Sequence, residues 1–337
     1  RIWAQHFEHC LQSLRSQKHL VSSLKVMKVA VVGASLGGLA AANVFHQLGA
    51  TVRVFEKFPS DFSDRGGALW VDVHMWQALR GARMMRRGHQ ALNDRSQGSF
   101  FYGDLWRFLY SGLPEGTVQF DHAVEDLGND VECPTIDGEV FDLAILADGG
   151  WSKLRRYVTS TQPEYAGYVA WRGQVDALDF PKGFDAFGMY TNGPFNTLAL
   201  PMCKDDGRDV LIGGLFLATP EDEVVRPEAG ASRRGDEGAK SSTVPKWFLP
   251  FYKKHFGRDV GGKLVKLFEA IITKGDLKPH PHYDYAADKV NAGRVLLVGD
   301  AAHMASPGSH FHIEGNKILY WQRGGATLQS KCKYGRE

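Results

Sequence analysis

Three clusters of glycine and acidic residues carry the chemistry open to this sequence. "VVGASLGG" sets Gly33, Gly37 and Gly38 around Ser35 and Leu36, at the exit of an apolar, β-branched run. Gly33 permits a tight turn, Gly38 lets a following helix lie close to a sheet, and the open helix N-terminus offers N–H groups to a pyrophosphate. Ser35 occupies the middle glycine position of such turns, and its small side chain still allows a phosphate to approach. Glu56, twenty-three residues after Gly33 and followed by Lys57, places a carboxylate where it would accept hydrogen bonds from an adenosine ribose. Its charge would repel a 2′-phosphate, so FAD or NAD suits the site better than NADP.

The second cluster, Asp148-Gly149, closes the apolar run of "DLAILADGGWSKLRR" and is followed by Ser152 and Arg155. The third repeats the design: "GRVLLVGDAAH" ends its apolar run on Gly299, Asp300 and Ala301, with His303 just beyond. These residues need strands to hold them. Val29 to Val32 reads as a strand, the Ala/Leu-rich stretch after Gly38 as a helix stopped by Gly49, and "TVRVFE" as a second strand. A β-α-β unit therefore presents the first turn and Glu56, and two further strands end on the other two acids.

These three segments, in this order, resemble the class A FAD-dependent aromatic hydroxylases, which share the para-hydroxybenzoate hydroxylase fold. The likeness spans most of residues 27 to 307. "PEYAGYVAWRGQVD", "DLKPHPHYDYAADKVNAGRVLLVGDAAHMASP" and "FFYGDLWRFLYSGLP" look like the 2,6-dihydroxypyridine hydroxylase branch. The resemblance implies an FAD held by the glycine turn at its pyrophosphate and by Asp300 at its ribityl chain. It places Asp148-Gly149 near both flavin and reduced nicotinamide, and matches Arg65 of "DRGGALWV" to an arginine near the cofactor. NADH or NADPH would be the reductant, O₂ the oxidant and a small aromatic ring the substrate, hydroxylated through a flavin C4a-hydroperoxide. His303 and Pro307 are the candidates at the reacting centre; Tyr168, Trp171, Arg172 and Tyr283 are the pocket candidates, each also explicable as packing on a strand.

The fold class expected is α/β: a Rossmann-like FAD-binding domain of the GR2 type with an inserted β-rich substrate domain. Residues 27–157 and 286–337 would form the first, and 158–285 the second, its strands drawn from "GYVAWRGQVD", "FNTLALPM" and "DVLIGGLFLA". Residues 1–26 read as an extension, basic enough for an organelle transit peptide; a cytoplasmic protein is the default. Forty Lys and Arg against 38 Asp and Glu leave a formal charge of +2, which points to neither nucleic acid nor an anionic membrane. The four cysteines are widely spaced and suggest neither disulfides nor zinc. "HPH" and "HFH" pair imidazoles without a completing carboxylate or thiolate, so no metal is expected. The arginines of "RGARMMRRGH" read as a solvated helix face, and residues 228–242 as a surface loop. No run is a good membrane span, and a homodimer is an open arrangement.

Beyond Pro307 the resemblance predicts a glycine-rich turn and a long helix. "HFHI" alternates and "KILYWQ" reads as a strand instead, so this end looks truncated or diverted. Two alternatives to a working monooxygenase follow: a non-catalytic member, whether pseudoenzyme or defective gene model, and a flavin epoxidase or reductase of the same fold.

Overall fold

The computed structural model describes residues 27–59, 62, 67–71, 98–176, 188–192, 195–203, 209–221, 244–258, 262–304, 309–314 and 317–322. Arg65, Pro307, the 1–26 extension, the arginine run and the 228–242 loop lie outside them.

The first strand, β1 (Lys28–Val32), feeds α1 (Leu36–Gln47), which returns the chain to β2 (Thr51–Phe55), parallel to β1. α1 stops where the sequence predicts. Gly49 takes φ +95°, a left-handed conformation that lets the Ala50 N–H reach back to the Phe45 carbonyl at 3.0 Å. A pair of short antiparallel strands follows, β3 (Ala68–Val71) and β4 (Gly98–Phe101), and β4 runs straight into α2 (Tyr102–Ser111). Then come β5 (Val118–Gln119), the hairpin β6 (Thr135–Ile136) with β7 (Glu139–Val140), and β8 (Leu143–Leu146).

The chain next builds a second sheet from β9 (Glu164–Asp176), β10 (Gly188–Asn192), β11 (Phe195–Cys203) and β12 (Asp209–Ala218). Two helices, α3 (Phe248–Phe256) and α4 (Lys263–Lys274), precede β13 (Lys278–Ala286). It then returns to the first sheet through β14 (Asn291–Ala292) and β15 (Val295–Leu297), and β16 (His303–Met304) pairs with β13. β17 (Ser309–Glu314) and β18 (Lys317–Gln322) pair antiparallel where the sequence reads as strands.

The first sheet has the order β14-β15-β8-β1-β2-β5, parallel from β15 to β5. Its central strand is apolar on both faces, as a sheet covered on both sides requires. Val29 and Val31 join α1 and α2 in one core, while Ala30 and Val32 pack with Phe55, Phe141 and Leu154 in another. The second sheet, β10-β11-β12-β9-β13-β16, is antiparallel and carries α3 and α4 on one face. Leu264, Leu267, Phe268 and Ile271 of α4 recur at helical spacing and are fully buried there. At about 2 kcal/mol for each large apolar side chain buried, this stripe is a main support of the sheet. Gly173 and Gly213 stand opposite each other beneath it; a Cβ on either would come within 2.3 or 2.8 Å of Ile271.

Candidate cofactor and substrate site

The register of the first sheet brings the three motifs together. Val32 is level with Phe55 on one side and Leu146 on the other, and Leu146 is level with Leu297. Four adjacent parallel strands therefore end side by side, and the residues just past those ends are Glu56, Gly33, Asp148 and Gly299-Asp300. Ligands of open parallel sheets bind at this carboxyl edge.

The glycine turn fits a cradle closely approached by backbone. Gly33 takes φ +100°, donates its N–H to the Phe55 carbonyl at 2.8 Å, and would place a Cβ 2.4 Å from the Ala147 carbonyl oxygen. A Cβ on Gly38 would meet the Gly33 oxygen at 1.9 Å. Gly37 faces the third motif: its Cβ would lie 3.5 Å from the Gly299 Cα. Leu36 packs partly against the core beneath. No acidic residue occupies the first turn of α1, so its N-terminal dipole is not offset by a side-chain charge there. The Glu56 carboxylate braces the turn, accepting the Ala34 N–H at 2.7 Å and the Phe58 N–H at 3.0 Å. Lys57 is exposed, its Nζ 5.0 Å from the centre of the Phe58 ring.

Arg155 joins the second motif to the third. Its guanidinium, only 1% exposed, donates to the Ala301 carbonyl from Nε at 3.1 Å and to the Gly150 carbonyl from a terminal nitrogen at 2.8 Å, and lies 3.9 Å over the Tyr285 ring. Burial lowers its pKa from the usual arginine value, against the opposing pull of Tyr285 and Asp148. Arg155 thus ties the second and third motifs to each other through their backbone. Gly149 turns the chain at φ +92°, and Gly150 lets Met304 of β16 sit where a side chain would otherwise be. Ala301 is buried and Asp300 is exposed.

Asp148 meets a different environment. Burial raises its pKa above the usual aspartate range; a hydrogen bond with Ser152 and the charges of Arg155 and Lys57 pull it back in part. Its Oδ1 atom is enclosed and has no hydrogen-bond partner. A buried acceptor of this kind calls for a donor. FAD fits these groups: its pyrophosphate oxygens would accept from the N–H groups of Gly33 to Gly38, and its ribose and ribityl hydroxyls would donate to Glu56, Asp148 and Asp300.

The four pocket candidates separate. Tyr168 and Arg172, an even number of residues apart on β9, share the face turned away from α3 and α4. Tyr168 stacks on His282, with ring centres 4.9 Å apart. Trp171 takes the opposite face and packs on Phe248 and Trp247, inside the core beneath the helices. Tyr283 does not reach the Tyr168 face either, because it follows His282 on β13 and alternation turns it to the opposite side. It packs instead against Trp151, Tyr165 and Met304, beside the Asp148 turn. His303, on β16, is level with Ala286 of β13, two residues after Ala301 and exposed.

Sequence reasoning missed Tyr102 and Trp106, both on α2. The Tyr102 hydroxyl lies 2.7 Å from Ser35 Oγ, and the Trp106 indole N–H donates to the Ala34 carbonyl at 2.7 Å. Trp106 is sandwiched between Phe62 and Tyr110. The signal was the aromatic repeat Tyr102, Trp106, Tyr110 at four-residue spacing, which places all three on one helix face.

Known proteins bear on this geometry. The chain is 28% identical over 317 residues to 3-amino-4-hydroxybenzoate 2-monooxygenase of Streptomyces cremeus, covering 83% of this chain and 73% of that protein. It is 26% identical to 2,6-dihydroxypyridine 3-monooxygenase of Paenarthrobacter nicotinovorans, covering 86% and 79%. The crystal structure of Klebsiella pneumoniae HpxO complexed with FAD and uric acid matches with a TM-score of 0.60 at 21% identity, covering 84% of this chain and 75% of that one. No protein-family model matches. The fold is that of an FAD-binding monooxygenase, a parallel sheet with an added antiparallel sheet. The chain is related in sequence to FAD-dependent aromatic hydroxylases, and the matched relatives are named for phenolic and N-heteroaromatic rings.

Proposed function

We propose that the chain hydroxylates an electron-rich aromatic or N-heteroaromatic ring, with FAD as cofactor, NADH or NADPH as reductant and O₂ as oxidant. The observation that carries this reading is the alignment of four strand ends, which gathers a glycine turn, Glu56, Asp148 and Asp300 along one sheet edge. FAD, when bound, would take two electrons from the nicotinamide and activate O₂. The chain's own residues hold and orient. The α1 N-terminus would receive the pyrophosphate, Glu56 the adenosine ribose, and Asp300 the ribityl chain, while Arg155 fixes the spacing of the last two motifs.

Residues 27–157 and 286–337 would make up the cofactor domain and 158–285 the substrate domain. Tyr168, Arg172 and His282, on the sheet face away from α3 and α4, are the side chains we assign to the ring. A stacked Tyr168–His282 pair offers a flat apolar surface with polar edges, and the Arg172 cation would favour the deprotonated form of a hydroxylated ring. Asp148 would serve the cofactor, and His303, next to the third motif, would border the reacting centre.

The test is NADH and NADPH oxidation by the FAD-loaded chain with a panel of hydroxypyridines and hydroxybenzoates, products being read by mass. Stimulated oxidation with one oxygen atom gained by the ring is expected. Oxidation without any oxygenated product would contradict the reading and favour a reductase.

A further inference from the structure

Ser35 is the N-cap of α1, with φ −78° and ψ −179°, the extended backbone from which a serine side chain ordinarily turns to accept an N–H of the first helical turn. It makes no such bond. Its hydroxyl is engaged with the Tyr102 hydroxyl at 2.7 Å. We propose that Tyr102 is a positioning residue that holds the Ser35 hydroxyl off the α1 N-terminus, so that the N–H groups of the first turn stay open to the cofactor pyrophosphate.

The competition follows from the backbone. The second and third N–H groups of a helix are the ones a capping serine satisfies, and the same groups bind an anion placed at the helix end. A serine in the turn is therefore an internal competitor for the phosphate, which a glycine in its place would not be. Tyr102 can restrain it because it is itself fixed. It is the first residue of α2; its backbone N–H donates to the Gly67 carbonyl at 3.0 Å, and its ring packs against the core that also holds Leu36. One turn along α2, the Trp106 indole binds the Ala34 carbonyl, so the helix grips two consecutive residues of the turn. The arrangement departs from an all-glycine turn in a compensated way: the serine brings a hydroxyl, and α2 brings the partner that occupies it.

This inference rests on FAD being the cofactor, and its test separates the two. FAD affinity, read by flavin fluorescence quenching, and the melting temperature of the cofactor-free chain are measured for the wild type, Tyr102→Phe, Ser35→Ala and the double variant. In Tyr102→Phe the released serine caps the helix, so FAD affinity should fall roughly fivefold, the equivalent of a cap of about 1 kcal/mol. The cofactor-free chain should melt no lower than the wild type. In the Ser35→Ala background the same Tyr102→Phe change should leave FAD affinity unaltered, because no hydroxyl remains to compete. An equal loss of affinity in both backgrounds would overturn the proposal by showing that Tyr102 acts independently of Ser35. So would a Tyr102→Phe chain with unchanged affinity. If the wild type binds no FAD, the functional reading falls with it, and melting temperatures then decide whether Tyr102 restrains the Ser35 cap.

Discussion

Asp148 and Glu56 are both carboxylates at the ends of parallel strands, but their surroundings give them opposite characters. Glu56 spends its oxygens on two backbone N–H groups of the turn that it braces. Asp148 keeps one enclosed oxygen without a partner, and burial raises its pKa. A raised carboxyl pKa means that the folded chain holds the proton more tightly than the unfolded chain does. Its contribution to stability is complete below the unfolded pKa and is lost as pH rises through the folded one. Asp148→Asn, uncharged throughout, should therefore match the cofactor-free wild type in acid and melt progressively higher than it as pH approaches neutrality; a melting difference independent of pH would contradict this. The sequence made all the strand-end acids legible because spacing after an apolar run defines them. It could not sort the pocket candidates in the same way. Trp171 and Arg172 are neighbours on one strand, so only one can face the site, and which one depends on α3 and α4 lying over the tryptophan.

At the scale of elements, close backbone approach and a few long side chains hold the motifs in register. Gly38→Ala would force a methyl group to within 1.9 Å of the Gly33 oxygen and so push α1 off the sheet. A loss of about 1–3 kcal/mol is expected, read as a lower melting temperature together with weaker FAD binding. Gly67→Ala, with open space around the new methyl, should change neither by much. Arg155→Lys leaves a single flexible amine to serve carbonyls on two separate turns, so one of them loses its partner in a buried place. About 1–3 kcal/mol of stability should go with it, and FAD should dissociate faster because Asp300 sits on the released turn. Wild-type release kinetics in Arg155→Lys would argue against the clamp. The β-α-β unit and the strands of the second sheet were readable from apolar pattern and glycine position. The contribution of α2 was not, since its bonds to Ala34 and Ser35 join residues about seventy positions apart.

Across the whole molecule, the chain leaves the parallel sheet after β8, forms the antiparallel sheet with its two helices, and returns through β15 beside the strand it left. β16 then joins β13 directly after the third motif, so a short segment carrying Ala301, His303 and Met304 connects the cofactor edge of one sheet to the other. No helix among the described residues is long and apolar enough to cross a membrane. On the proposed reading, a ring bound on the second sheet would lie near a cofactor held by the first, joined through this segment. The order of the three motifs was legible in the sequence, and the register of β15, β8, β1 and β2 sets their ends side by side. On the proposed reading this edge holds FAD. The most direct test is the visible absorbance spectrum of the purified chain after incubation with FAD and removal of the excess. A retained flavin band at close to one FAD per chain is expected, lost in Asp300→Ala but not in a variant at the exposed Lys266. A colourless wild-type chain under these conditions would mean that this edge does not hold FAD.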